Sequence, residues 1–371
     1  MTIIFLQNIF EKSINGEWGN EDSGKGEATA VIRTSNFLNS GRLNLDNIVC
    51  REIDKDKNSD KILRTGDIII EKSGGSPNQP VGRVVYFDVT DQDYFTNNFT
   101  SILRVKPGYN SKYIFYLMKY LYDTKKVLKF QNQTTGIINL KLADYLNKTK
   151  VNIETIENQN TIVDILDRLE YQIINRNKQL SELSNLVKSR FNEMFGDPLN
   201  NNKKFAVKTG QQCFKFSSGK FLDKHDRVFE GYPAYGGNGI AWKSRKYLID
   251  NPTIIIGRVG AYCGNVRTTH GKVWISDNAI YIKEFKNSDF NLVFLLELMK
   301  VIDFSKFADF SGQPKITQKP LENQKYILPP LSLQNEFADF VAQVDKSQLA
   351  IQKSLEELET LKKSLMQEYF S

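Results

Sequence analysis

Residues 159–195 read QNTIVDILDRLEYQIINRNKQLSELSNLVKSRFNEMF, and residues 334–370 read QNEFADFVAQVDKSQLAIQKSLEELETLKKSLMQEYF. In each stretch the apolar residues recur at alternating steps of three and four, which places them along one helix face as a coiled-coil seam. Neither stretch contains glycine or proline, the residues that most often interrupt helices. Each stretch therefore predicts one long amphipathic helix of about 55–60 Å.

The two stretches are copies of one another. Adding 175 to a residue number in the first gives its counterpart in the second, so that Gln159-Asn160 corresponds to Gln334-Asn335. Because 175 is a whole number of heptads, counterparts hold the same place in the apolar pattern. Arg176 and Arg190 interrupt the first pattern, and Gln348 and Lys362 interrupt the second. Arg176 and Gln348 each correspond to an isoleucine in the other copy. The seams differ, which favours pairing of the two helices with each other.

The segments before the two helices are also related. Each contains a run of isoleucines next to glycine, TGDIIIEK (65–72) and NPTIIIGR (251–258), and runs of β-branched residues of this kind predict strands. Each run is followed by a helix rich in tyrosine, phenylalanine and leucine, at 112–128 and 290–304. The order domain, long helix, domain, long helix therefore occurs along the chain.

We predict an α+β fold, with two mixed α/β domains in tandem repeat separated by two long antiparallel coiled-coil helices. The predicted boundaries are 1–155 for the first domain, 156–199 for the first long helix, 200–331 for the second domain and 332–371 for the second long helix.

The charge of the chain is unevenly distributed. The 371 residues carry a net charge of +7. Residues 204–331 have 19 basic and 11 acidic side chains, and residues 1–155 have 21 and 18, whereas the segments 156–203 and 332–371 are slightly acidic. Basic domains joined to acidic helices suggest a polyanion partner for the domains and a protein partner for the helices. Ordinary scatter of surface charge remains the alternative.

The number and spacing of the cysteines and histidines argue against a domain stabilised by disulfides or by zinc. Cys50, Cys213 and Cys263 are odd in number and far apart, which argues against a disulfide framework. With only His225 and His270 beside them, a structural zinc site is not expected, and we predict no metal. The chain lacks an apolar run long enough to cross a bilayer and the features of a secretory signal, so we expect a cytoplasmic location and no membrane contact.

The motifs of common catalytic sites are missing. The chain has no Walker A sequence, and its one Pro-Pro pair lies in LPPL (328–331) rather than in an amino-methyltransferase motif. GRVGAYCG (257–264) has the wrong glycine spacing for a dinucleotide fingerprint and is interpreted as a turn between strands. Two histidines without an adjacent nucleophile pattern do not support triad chemistry. We predict no catalytic residues in this chain.

Recognition chemistry is better represented. In GYPAYGGNGIAWKSRKY (231–247) aromatic side chains alternate with Lys243, Arg245 and Lys246, and glycines allow close backbone approach. Lysine and arginine can neutralise phosphates, while asparagine, glutamine and arginine can read base edges. The alternative is that the aromatic residues belong to the core and the basic ones are solvated. The comparable segments of the first domain are VIRTSNF (31–37), EKSGGSPNQPVGR (71–83) and TTGIINLK (134–141).

Over essentially its full length the chain resembles the specificity subunits of type I restriction–modification enzymes. The residues that carry the resemblance are GYPAYGGNGIAW, TIIIGRVGAYCGNV and ILPPLSLQNEF in the second half, with VIRTSNF, GDIIIEKSGGSPNQPVGRVVYF and FQNQTTGIINLKLADYLN in the first.

The resemblance implies two target-recognition domains, each binding half of a bipartite site in double-stranded DNA, held apart by the paired helices. It implies as partners two modification (M) subunits that methylate adenine N6 and two restriction (R) subunits that translocate and cleave DNA. S-adenosylmethionine, ATP and Mg would be bound by those partners, and no cofactor by this chain.

Within the recognition segments we expect a set of polar, basic and aromatic side chains to contact DNA. In the first domain these are Arg33, Thr34, Asn36, Lys72, Ser73, Gln79, Arg83, Thr135 and Lys141, and in the second Tyr232, Tyr235, Asn238, Lys243, Arg245, Arg258, Asn278, Gln313 and Lys315.

The two halves also differ. The Pro-Pro-Leu turn at 329–331 has no proline counterpart in VNIETIENQN (151–160), and the first domain lacks an equivalent of YPAYGGNG. We therefore expect an asymmetric target with two different half-sites.

Two other classes of protein stay open: a coiled-coil scaffold that recruits protein partners and binds no DNA, and a nucleic-acid-modifying enzyme with an unrecognised site.

Overall fold

The computed structural model consists of two compact units. Unit 1 comprises Met1–Asn175 and Leu355–Ser371, and unit 2 comprises Arg176–Ser354. Each unit combines one mixed α/β domain with part of both long helices, which confirms the predicted fold class. The residues that the structure describes are 2–24, 26, 28–76, 78–134 and 137–371.

The first domain contains three sheets and a hairpin. Its main sheet has the order β2-β8-β5-β6, a second has the order β4-β3-β7, and β1 pairs with β11 and β9 with β10. The elements are β1 Thr2–Phe5, β2 Phe10–Asn15, β3 Ala28–Ile32, β4 Val49–Glu52, β5 Ile68–Glu71, β6 Val84–Tyr86, β7 Tyr94–Thr96, β8 Thr100–Val105, α1 Ser111–Asp123, β9 Gln131–Thr134, β10 Ile137–Leu140, α2 Leu142–Lys148, β11 Lys150–Ile153 and the long helix α3 Ile156–Phe195.

The second domain repeats this plan. Its main sheet has the order β13-β20-β17-β18, a second has the order β14-β16-β15-β19, and β12 pairs with β21. The elements are β12 Ala206–Thr209, α4 Gly210–Cys213, β13 Phe214–Ser218, β14 Arg227–Val228, β15 Tyr232–Gly236, β16 Gly239–Ser244, β17 Ile254–Gly257, β18 Val266–Thr268, β19 Trp274–Ile275, β20 Ala279–Phe285, α5 Leu292–Ile302, α6 Gln318–Asn323, β21 Lys325–Leu328 and the long helix α7 Leu331–Phe370.

The two isoleucine runs form inner strands of the main sheets. On β5, Ile68 and Ile70 belong to the core that includes α1, whereas Ile69 faces a second core against the smaller sheet. On β17 the residues alternate in the same way, with Ile255 in the smaller core. Both faces of each strand are covered, which explains a continuous run of β-branched residues in place of apolar–polar alternation.

A buried glutamine joins the start of α3 to the first domain. Gln159 is 1% exposed. Its Oε1 accepts the backbone N–H of Asn110 at 2.9 Å, and its Nε2 donates to the backbone carbonyl of Glu154 at 2.8 Å. Asn110 is the N-cap of α1, and its Nδ2 donates to Oδ1 of Asn160 at 2.8 Å. The Gln-Asn pair therefore fixes α1 against the first turn of α3.

The same set of contacts recurs in unit 2. Gln334 is fully buried; its Oε1 accepts the backbone N–H of Asn291 at 2.9 Å, and its Nε2 donates to the backbone carbonyl of Pro329 at 2.9 Å. Asn291 is the N-cap of α5 and donates to Asn335 at 2.9 Å. The repeat found in the sequence is thus a repeat of one hydrogen-bonded joint.

Different residues precede the two long helices, a threonine before α3 and a proline before α7, and each favours the start of a helix. Before α3, the hydroxyl of Thr155 accepts the backbone N–H of Asn158 at 3.4 Å, as an N-cap side chain does. At the counterpart of Thr155, Pro330 precedes α7, where its ring fixes φ near the helical value. The Pro-Pro-Leu turn, which has no proline counterpart in the first half, therefore starts α7 in place of the threonine that starts α3.

In unit 1 the first part of α3 packs beside the last part of α7, so the two segments run in opposite directions. Leu166, Met366 and Phe370 share one apolar core with α1. Lys362, which interrupts the apolar pattern of α7, forms an ion pair with Glu170, and both side chains are mostly buried. The interruption is therefore a polar contact between the helices.

In unit 2 the last part of α3 packs beside the first part of α7, again in opposite directions. Nη2 of Arg190 donates to Glu336 at 3.0 Å, and Nε2 of Gln348 donates to the Ser184 hydroxyl at 3.2 Å. Arg190 and Gln348 both interrupt the apolar ladders, so here too the interruptions are contacts across the seam.

In the described ranges no helix is both long and apolar enough to cross a membrane.

We predict that Gln159→Ala lowers the free energy of unfolding by about 2–3 kcal/mol, because it leaves a buried N–H and a buried carbonyl without partners. Urea-induced unfolding of the full-length chain measures this change. Gln172→Ala, an exposed glutamine of the same helix, is the matched control and should change the free energy by less than about 0.5 kcal/mol. Equal effects of the two substitutions would contradict the role given to Gln159.

Candidate nucleic-acid interface

Unit 1 has an open cleft of about 540 Å³ between the turn after β3 and the loop that joins β5 to β6. Three predicted residues, Thr34, Gln79 and Arg83, line it together with Asn39. Nε2 of Gln79 donates to Oδ1 of Asn39 at 3.2 Å, and both side chains are exposed. The cleft therefore presents carboxamides to solvent, and these groups can both donate and accept hydrogen bonds.

Arg83 forms the inner wall of this cleft. Its guanidinium makes a bidentate ion pair with Glu71, with N–O distances of 2.8 and 3.0 Å, and Glu71 is 2% exposed. The same guanidinium donates to the backbone carbonyls of Thr34 at 3.1 Å and Phe37 at 3.4 Å. Arg83 fastens the turn after β3 to the main sheet, and we assign it a positioning role.

Asn36 and Arg33 also bond mainly within the turn. Oδ1 of Asn36 accepts the backbone N–H of Arg33 at 2.9 Å, and its Nδ2 donates to the carbonyl of Asn44 at 2.9 Å. Asn36 is 4% exposed, so its carboxamide shapes the turn and is not presented to a partner. Arg33 is half-buried and donates to the carbonyl of Asn47 at 3.3 Å.

Lys72 lies at the end of β5 and is half-buried. Its Nζ donates to Oδ1 of Asn15 at 2.7 Å. Burial lowers the pKa of Lys72 below its ordinary value, because the ammonium group loses hydration. A phosphate oxygen near Nζ would stabilise the charged form, so Lys72 retains the chemistry of a phosphate contact.

The hairpin β9–β10 lies next to this loop. The hydroxyl of Ser73 donates to Oδ1 of Asn139 at 2.6 Å, and the backbone N–H of Gly74 donates to the carbonyl of Ile138 at 3.1 Å. Ser73 therefore helps to join the hairpin to the loop. Lys141, directly after β10, is exposed, and the predicted contact Thr135 lies outside the described residues.

Unit 2 has a corresponding open cleft of about 390 Å³. It is lined by the tip of the β15–β16 hairpin, the β17–β18 connection, the turn before β20 and the loop before α6. The structure brings three predicted residues together there, Asn238, Asn278 and Gln313, and all three are exposed. Tyr262, 48% exposed, lines the same cleft. Three carboxamides from three separate loops thus converge on one opening.

The strand β16, whose first residues line this cleft, carries the exposed side chains of Trp242 and Lys243, and Arg245 follows the strand directly. Lys243 and Arg245 are exposed, and within the described residues neither pairs with a carboxylate. Lys246 differs, because its Nζ lies 3.0 Å from a carboxylate oxygen of Asp226. Trp242 is 54% exposed. Lys243 and Arg245 are therefore the side chains best placed for phosphate contacts.

The other predicted residues of unit 2 have mixed surroundings. Tyr232 packs edge-on against Tyr247, with ring centroids 5.2 Å apart, and Tyr235 packs against the smaller core. Arg258 is half-buried and donates to a backbone carbonyl in the turn before β20 at 3.2 Å. Lys315 is exposed. The two tyrosines thus support the second sheet, and Lys315 faces solvent.

Sequence reasoning missed three exposed residues in these surroundings. Asn39 lies in the cleft of unit 1, and Tyr262 in that of unit 2. Arg267, on β18, donates from Nη2 to Oδ1 of Asn238 at 3.2 Å. The segments around them contain no interleaved basic and aromatic pattern, and only the pairing of distant strands brings them to the clefts.

The described residues form no metal-binding cluster, and two of the three cysteines are buried. No group of three or more His, Cys, Asp or Glu side chains in the described part of the chain could hold a metal ion. The three cysteines are free thiols. Burial raises the pKa of Cys213 and of Cys263, which keeps both thiols protonated.

The model of the type I restriction modification DNA specificity domain matches residues 1–185 and 202–360. The chain therefore belongs to the family of type I restriction–modification specificity subunits, and each half carries one such domain. The resemblance inferred from the sequence motifs is confirmed.

Individual relatives agree with this assignment. The specificity subunit of the type I restriction enzyme EcoprrI from Escherichia coli is 25% identical over 196 residues, which cover 50% of this chain and 48% of that one. The chain thus spans about half the length of the curated relative it matches. The S subunit of M. genitalium has the same fold, with a TM-score of 0.65 and 18% identity over 100% of this chain and 96% of that one. A chain from a structure of type I R-M complex assembly and conformational transition has a TM-score of 0.56 and 15% identity, over 99% and 96%.

We predict that Arg83→Ala destabilises the chain by about 3–5 kcal/mol, because Glu71 is left as a buried, unpaired charge. The double variant Arg83→Met with Glu71→Leu should recover most of this loss, since it removes both charges and keeps apolar volume. Urea-induced unfolding measures both. Arg42→Ala, at an exposed arginine, is the control for charge alone. A double variant less stable than Arg83→Ala would contradict the positioning role.

Proposed function

We propose that this chain is the DNA-recognition subunit of a type I restriction–modification complex. Each domain binds one half of a bipartite target in double-stranded DNA, and the chain thereby directs adenine N6 methylation and restriction by its partner subunits. The observation that carries this proposal is the cleft of unit 2, where Asn238, Asn278 and Gln313 converge. The strand β16 leads from this cleft to Lys243 and Arg245, which form no ion pair within the described residues.

The chemistry of that region separates into two kinds of contact. Carboxamides have fixed donor and acceptor sites, which suit them to the edges of bases. Exposed cations such as Lys243 and Arg245 suit phosphates, which carry no sequence information. A surface with both kinds of group side by side supports sequence-specific binding rather than binding to any polyanion.

The two clefts are unlike, and this supports an asymmetric target. In unit 1 the cleft has a buried Arg83–Glu71 ion pair in its wall. In unit 2 the strand position that corresponds to Glu71 is Gly257, and the cleft is built on the hairpin tip instead. Different donors and acceptors at the two openings would read different bases.

The repeat supports duplicated partner sites. Because the joint of Gln159 recurs at Gln334, each long helix begins from its domain in the same way. We propose that this duplication lets the chain bind two copies of the same methyltransferase subunit, and that two restriction subunits join through them. The same helix pair would set the spacing between the two half-sites.

Catalysis is assigned to the partners. Among the described residues that line the two clefts there is no nucleophile–base pair, and S-adenosylmethionine, ATP and Mg would be held by the methyltransferase and restriction subunits. A scaffold without DNA binding is the second candidate. It accounts for the helix seams but not for three exposed carboxamides that converge on one cleft.

We predict that Lys243→Ala weakens binding to specific and non-specific duplexes alike and lowers the slope of log K against log salt concentration by about 1, as expected for one lost phosphate contact. Filter binding of the full-length chain, purified with co-expressed partner subunits, measures the slope. Lys246→Ala is the matched control, since its ammonium is already paired with Asp226, and it should change the slope less. An unchanged slope for Lys243→Ala, or no binding of the unsubstituted complex to DNA, would contradict the proposal.

A further inference from the structure

We propose that Arg267 reads a guanine in the half-site bound by unit 2. This inference rests on the proposed function and names one base and the residue that recognises it. Arginine binds guanine through two parallel hydrogen bonds to O6 and N7, the commonest specific contact in the major groove. An arginine held in a defined orientation at a recognition cleft is the arrangement that such a contact needs.

The guanidinium of Arg267 is oriented by one hydrogen bond and lies beside the backbone of Gly239. Its Nη2 donates to Oδ1 of Asn238 at 3.2 Å. A Cβ built on Gly239 would lie 3.6 Å from both Cζ and Nε of Arg267 and 3.7 Å from Nη1. These nearly equal distances place one face of the guanidinium toward the space that a side chain at position 239 would occupy, so that the glycine leaves room for Arg267. Because Gly239 has a φ of +110°, a side chain there would be strained.

Arg267 keeps most of its hydrogen-bonding capacity. A guanidinium has five N–H donors, and the contact with Asn238 uses one of them. The side chain is exposed, and within the described residues no carboxylate forms an ion pair with it. Four N–H donors remain, so one two-donor edge of the guanidinium stays available to a partner with two acceptors.

The pairing of the strands shows that this arginine is particular to unit 2. In the main sheet of unit 2, Arg267 stands opposite Ile255. The same register in unit 1 places Val85 opposite Ile69, and Val85 is fully buried in the smaller core. A position that belongs to the core in one domain thus carries an exposed cation in the other. The scaffold does not require an arginine there, which favours a role in recognition.

The neighbours of Arg267 fit a base-reading role. Asn238, which orients it, lines the cleft together with Asn278 and Gln313. The carboxamide of Asn238 also has its own N–H groups, which can donate to an acceptor on an adjacent base. By contrast, Lys243 on β16 and Arg245, directly after it, have no orienting side-chain contact of this kind among the described residues. We therefore separate Arg267 from the phosphate-binding cations.

The test is methylation sequencing of a host whose own copy of the chain is replaced by Arg267→Ala or Arg267→Gln, with Lys243→Ala as the control for lost charge. Arg267→Ala should relax one guanine position of the motif, reducing the preference for guanine by roughly tenfold to a hundredfold. Arg267→Gln should shift the preference at that position from guanine to adenine, because a glutamine pairs with adenine N6 and N7. Lys243→Ala should lower methylation at all sites without changing the motif.

A motif that still requires every guanine in both Arg267 variants would overturn the inference, as would a uniform loss of methylation like that of Lys243→Ala. If Arg267→Ala does not accumulate as folded protein, Asn238→Ala leaves the arginine in place without its orienting acceptor. That variant should weaken the preference at the same position by several-fold, and an unaltered preference would overturn the inference. A host methylome independent of this chain would instead refute the proposed function.

Discussion

A buried glutamine side chain at the start of each long helix is the interaction on which the rest of the molecule depends. Gln159 and Gln334 each bond the N-cap residue of a domain helix and the backbone that leads into a long helix. A buried carboxamide tolerates little change in the direction of its partners, because an unpaired group in the interior is costly. Each joint therefore fixes a long helix to the domain helix, and the domain helix packs on the sheet that carries the recognition loops.

Much of this scaffold could be predicted from the sequence, because its signals are local or periodic. The spacing of 175 residues identified the Gln-Asn pairs as counterparts, and the isoleucine runs identified inner strands. The polar interruptions of the helix ladders were harder to interpret. Their partners lie on the other helix, as Glu170 does for Lys362, and a pattern within one helix contains no information about such a partner.

The candidate site was predictable only in part. Several of the recognition segments proposed from the sequence line the two clefts, but composition could not separate side chains that face solvent from those that hold a loop in shape. Arginine and asparagine often contact DNA, yet the side chains of Arg83 and Asn36 form their hydrogen bonds within unit 1. Arg267 shows the reverse case, since its strand had no recognition pattern and only its pairing with β17 places it beside Asn238. A repeated scaffold with different side chains at its two openings is what a bipartite, asymmetric target would require.

The central claim is that this chain determines which DNA sequence its complex modifies. Single-molecule methylation sequencing of the host genome, with the chain present and with it deleted, tests this claim most directly. We expect deletion to remove one bipartite N6-methyladenine motif with two different half-sites. An unchanged methylome in a strain with working methyltransferase subunits would contradict DNA recognition, and loss of a palindromic motif alone would contradict the asymmetry of the two units.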